Sequence, residues 1–132
     1  MGECRLRWSR VTPARLRLAD PDEVVAALAR RAPDDLRLLT KHFLAVLADR
    51  APGRSVEVRV PPYAAAQVVP GVRHTRGTPP AVVETDAPTW VALATGELSW
   101  YDAEERGLLR ASGERADLTP YLPLRHSDEL EQ

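Results

Sequence analysis

The sequence predicts an α+β domain of two layers, with about five mostly antiparallel strands and a set of helices. Three observations predict it. Ser55-Val56-Glu57-Val58-Arg59-Val60 alternates strictly, with the valines on one side and Ser55, Glu57 and Arg59 on the other. Such alternation marks a strand with one packed face and one wet face. Before it stand two segments with apolar residues at helical spacing, and after it come short apolar runs cut by Pro and Gly turns. Helices first and strands after argue for an α+β arrangement.

The totals set the frame. A chain of 132 residues with 44% apolar and 28% charged residues is ordinary for one globular domain. Aromatics are only 5%, so the core must be built mostly of Leu, Val and Ala. The net charge of −1 implies no polyanionic partner, and no basic domain points to nucleic acid. Of the 18 basic residues all but Lys41 are Arg, which reads as the codon bias of a GC-rich genome. No stretch reaches the roughly 18 apolar residues that span a bilayer. The charged N-terminus is not a signal peptide, and the single Cys4 excludes an internal disulfide framework. These observations point to the cytoplasm.

Residues 1–19 read as an N-terminal arm. Leu6, Trp8, Leu16 and Leu18 alternate with Arg5, Arg7, Arg15 and Arg17, and Thr12-Pro13 interrupts them. The arm either lies on the domain or binds an anionic surface. The domain itself is placed at residues 20–124, and the polar residues 125–132 read as a tail.

Asp20-Pro21-Asp22-Glu23 is a helix start, with Asp20 as cap, Pro21 as the first helical residue and Glu23 in capping-box position. Val24, Ala27, Leu28 and Arg31 then share a face, and Pro33 ends the segment. Asp34 and Asp35 open the next helix, where the dipole favours acids. An acid/base couple is the alternative reading of that pair. Leu36, Leu39, Phe43 and Val46 or Leu47 form its stripe as far as Arg50. Its length is about 25 Å. His42 stands beside the stripe as a boundary residue.

Ala51-Pro52-Gly53 is a turn into the Ser55–Val60 strand. Tyr63–Val69, Val72–Arg76 and Ala81–Thr85 are the next three predicted strands. Asp86 caps a short helix, Pro88 sits early in it, and Gly96 closes it in the left-handed conformation. Trp90, Leu93 and Ala94 share its face. Ser99 caps a second short helix that Gly107 closes. Leu108–Ser112 is the fifth predicted strand, and Ala116–Leu122 a last short helix.

The sequence has no glycine-rich phosphate loop, no GxSxG and no HExxH. His42, His74 and His126 lack metal-ligand spacing, and nothing pairs a nucleophile with a base. The expectation is therefore no enzyme, no metal and no cofactor. One polar cluster stands out, Arg73-His74-Thr75-Arg76-Gly77, with His74 and Arg76 on one face of a strand. Arg76 either grips an anionic ligand group or pairs with Glu84 or Asp86 to fix the loop.

The run Arg73-His74-Thr75-Arg76-Gly77-Thr78-Pro79-Pro80, then Val83-Glu84-Thr85-Asp86, Thr89-Trp90 and Leu93-Ala94-Thr95-Gly96, resembles the bacterial sterol carrier family common in actinobacteria. Ala111-Ser112-Gly113-Glu114-Arg115-Ala116-Asp117-Leu118 adds to it. The resemblance covers about residues 55–124. It implies a two-layer sterol-carrier-like fold with helices on one face of the sheet. It also implies an apolar tunnel between the layers for a fatty acyl chain or a sterol, and no catalytic residues or metal. Domains of this kind also accompany enzymes such as mycothiol-dependent isomerases, so a ligand-free accessory module is the alternative. The sequence departs from the lipid-carrying pattern where Pro120 and Pro123 cut short the last helix. On this reading Val58, Val60, Val83, Trp90, Leu93 and Leu109 line the ligand cavity. Arg76 or His74 would meet an acidic head group.

Overall fold

The computed structural model describes residues 16–71, 81–113 and 116–124. Helix α1 (Pro21–Arg30) begins where Asp20 accepts the amide of Asp22. It ends at Arg31, which takes the left-handed conformation with φ 54°. Pro33 therefore does not stop α1. It is the first residue of α2 (Pro33–Arg50), whose 18 residues make it the longest helix described. Leu39, Phe43, Leu44 and Leu47 are buried along it.

Four strands follow, β1 (Val56–Val60), β2 (Ala64–Val68), β3 (Ala81–Thr85) and β4 (Leu109–Ser112), in the order β2-β1-β3-β4. The β1–β2 and β3–β4 pairs are antiparallel, whereas the central pair, β1–β3, is parallel. The sheet is thus mixed, and it has four strands among the described residues rather than five. The predicted strand Val72–Arg76 lies outside them. In the parallel pair β3 lies on the side of β1 away from β2 and starts beside the beginning of β1, with Val56 opposite Ala81. A local alternation pattern contains no record of which neighbour a strand chooses.

Between β3 and β4 lie α3 (Ala87–Thr95) and α4 (Trp100–Glu105). Asp86 accepts the amide of Thr89 at 2.8 Å and Ser99 that of Asp102 at 3.1 Å, so both predicted caps form. Gly96 ends α3 with φ 87°. Residues 116–122 do not make the predicted helix. They hold only a single 3₁₀ turn, Thr119–Tyr121. Pro120 and Pro123 each remove an amide that a continuing helix would need. The chain is tied down instead by the Leu124 amide, which donates to the Ala94 carbonyl at 2.8 Å.

The valines of β1 are fully buried, with Glu57 and Arg59 half-buried on the opposite face. Across the inner face Val58 stands between Ala66 of β2 and Val83 of β3. Helix α2 packs on β2 and on α3, closing the second layer.

Candidate functional site

The six apolar residues predicted to line a cavity come from four elements: Val58 and Val60 from β1, Val83 from β3, Trp90 and Leu93 from α3, and Leu109 from β4. The structure brings all six into one core cluster between sheet and helices. Pleat alternation turns the three valines to the same face, and the 3.6-residue period turns Trp90 and Leu93 toward them. Trp90 is wholly enclosed, and its indole Nε1–H donates to the Thr40 carbonyl of α2 at 3.3 Å. This bond fixes how α3 meets α2, because a buried indole N–H without an acceptor would be destabilising.

His74 and Arg76, assigned to an acidic head group, lie outside the described residues, as do Arg73 and Cys4. Glu84 and Asp86, the acids offered as partners for Arg76, are both exposed, and Asp86 is engaged as the cap of α3.

Two surface clefts are present elsewhere. One, of about 230 Å³, lies at the ends of β3 and β4 and is lined by Pro61, Glu84, Asp86, Leu108, Leu109 and Arg110 among others. Of the six predicted lining residues, Leu109 borders it. The other, of about 280 Å³, lies between α1 and α2 beside Asp22, Glu23, Ala27, Arg30, Asp35 and Leu38. Both are rimmed by charged side chains, unlike the apolar layer.

The electrostatics concentrate at the α1–α2 corner. Arg30 donates to both oxygens of Asp35, at 2.8 and 3.2 Å, and the Ala32 amide donates to Asp35 at 3.0 Å. These bonds, the Arg30 contact foremost, hold the Asp35 carboxyl below its usual range, and in turn raise the Arg30 guanidinium. Arg31 grips both oxygens of Glu97 in the α3–α4 loop, and this raises its own pKa. Asp34 is exposed while Asp35 is engaged, so the two acids serve different ends. His42 accepts the Ala19 amide through Nδ1 at 2.9 Å, which anchors the segment leading into α1. Among the described residues no group of His, Cys, Asp and Glu is arranged to hold a metal.

Sequence reasoning passed over one residue of the layer. Thr40 is fully buried on α2, and its hydroxyl Oγ1 has no hydrogen-bond partner among the described residues. The signal was present in the spacing, since Thr40 lies four residues after Leu36 and three before Phe43, within the stripe.

A sheet of this order, with an apolar helical layer on one face, agrees with what a comparison with protein families finds. The family model described as "Bacterial SCP ortholog" matches residues 30–124, most of the chain. The chain belongs to this bacterial sterol carrier protein family. The match begins at Arg30 and so takes in α2, which lay before the region where the sequence resemblance was strongest. It takes in all four strands of the sterol-carrier-like sheet and ends at Leu124, where the described chain closes on Ala94. No curated protein matches the chain. Among the described residues no helix is long and apolar enough to cross a membrane.

Proposed function

We propose that the chain is a non-enzymatic binding domain that carries a small apolar ligand, a fatty acyl chain or a sterol-like lipid, between its sheet and its helices. The observation that supports this is the convergence of Val58, Val60, Val83, Trp90, Leu93 and Leu109 in a single apolar layer, in a chain of the bacterial sterol carrier family. Burial of a ligand there gains roughly 25 cal/mol per Å² of apolar surface. The residues of that layer are buried, so a ligand seated there has to displace contacts between the helices and the sheet. Native mass spectrometry of the purified protein, with lipid analysis of a denaturing extract, tests the reading. A stoichiometric apolar adduct, or uptake of an added fatty acid or sterol, is the expected result. A bare protein that takes up neither overturns it.

The full burial of Trp90 and of the β1 valines favours a second reading. In it the layer is simply a core, and the domain is an accessory module that docks on a partner enzyme, such as a mycothiol-dependent isomerase. Co-purification of an enzyme with a lipid-free domain is the outcome that distinguishes it.

A further inference from the structure

Of the buried threonines described, two donate their hydroxyls to backbone carbonyls, and Thr40 is the one whose hydroxyl is both fully enclosed and unpaired. Thr85 donates from Oγ1 to the Leu108 carbonyl at 2.8 Å, and Thr95 to the Ala92 carbonyl at 3.2 Å. Thr40 does neither. Its hydroxyl is unpaired although a helical threonine can ordinarily bond a carbonyl of the preceding turn. Arg59 Nε is also unpaired and buried, but the Arg59 side chain reaches solvent through its other nitrogens, one of which bonds Glu57 at 3.2 Å. The Thr40 side chain has no such outlet, since the residue is 0% exposed. An enclosed hydroxyl offers one donor and two acceptor positions, and leaving them empty destabilises the fold.

We propose that the Thr40 hydroxyl is the polar anchor of the ligand seat, at the place where α2 meets α3. This rests on the carrier reading above. It also specifies the head group. The buried polar and charged residues described are Asp35, Thr40, Thr85, Thr89 and Thr95, so none of them is a cation. An ionised carboxylate placed beside Thr40 would find no counter-charge among the described buried residues, and its desolvation there is strongly unfavourable. A neutral hydroxyl on a hydrocarbon body fits instead, because it can donate to Thr40 and accept from it. Sterols and long-chain alcohols share this chemistry. The Trp90 indole, already bonded to the Thr40 carbonyl, walls the seat on the α3 side.

The test is displacement of an apolar fluorescent probe by four ligands: a sterol, a long-chain alcohol, the carboxylate of equal chain length and the corresponding alkane. The wild-type protein is expected to bind an alcohol, steroidal or linear, more tightly than the alkane and the carboxylate. Thr40→Val, which keeps the shape, is expected to weaken alcohol binding about five- to tenfold, the worth of one neutral hydrogen bond. Alkane affinity stays unchanged, and Thr40→Ser retains the preference. Which of the two alcohols loses most in Thr40→Val identifies the source of the hydroxyl. Equal binding of alcohol and alkane by the wild type overturns the anchor while leaving the carrier reading intact. So does a Thr40→Val protein that loses both ligands alike. Failure of the wild type to bind any of the four overturns both.

Discussion

The corner between α1 and α2 and the layer beneath α2 treat polar groups in opposite ways. At the corner Asp35 and Arg31 each hold several hydrogen bonds. Asp35 accepts three hydrogen bonds, two from Arg30 and one from the Ala32 amide, and Arg31 grips Glu97 with two nitrogens. In the layer the side chains are apolar, and the Thr40 hydroxyl stands without a partner. The corner uses charge to set chain direction at the surface, where ion pairs contribute little to stability but define geometry. The layer supplies the stability through burial, and among the described residues it leaves the enclosed Thr40 hydroxyl without a partner.

This contrast can be broken at three places. Trp90→Ala should have the largest effect, about 3–5 kcal/mol of lost stability, because it empties the centre of the layer and removes the bond to the Thr40 carbonyl. Urea denaturation measures it, and a loss below about 1 kcal/mol would show that the layer is not the stabilising region. Asp35→Asn should cost less, and its cost should depend on pH. The Asp35 carboxyl titrates below its unfolded value, so its contribution is complete above that value, about 3.9, and fades as the pH falls through the folded one. The gap in urea midpoint between wild type and Asp35→Asn is therefore expected to be constant near neutrality and to shrink below about pH 4. A gap that persists unchanged in acid would mean that the carboxylate charge is not what the corner uses. Glu97→Gln should have the smallest effect, up to about 1 kcal/mol at low salt and less at high salt. A larger, salt-insensitive loss would place the Arg31–Glu97 contact among the structural determinants of the fold.

Much of the local structure is legible in the sequence. The alternation of Val56, Val58 and Val60 gives a strand whose buried face the structure reproduces. Asp20, Asp86 and Ser99 cap the helices they precede, and Gly96 takes the positive φ that ends α3. These features depend on neighbours a few residues away. The parallel β1–β3 pair does not, since it joins strands that are not neighbours in sequence. The helix expected over residues 116–122 yields to Pro120 and Pro123, whose missing amides outweigh the apolar spacing. Asp35 reads as a dipole charge, yet it is the hub of the corner, because Arg30 across the α1–α2 joint is close only in three dimensions. The gathering of the six layer residues was legible from their spacing and from the family resemblance together. Thr40 was not singled out, since a threonine in an apolar stripe looks like a tolerated interruption until its hydroxyl is found without an acceptor.

The most direct test of a ligand seat between the layers is a methyl-resolved NMR titration of the intact chain with a long-chain alcohol. The expected result is saturable shifts at the methyls of Val58, Val60, Val83 and Leu93, with Thr40 shifting alongside them. Shifts confined to residues lining the cleft beside Glu84 and Arg110, or no saturable shifts at all, would contradict it.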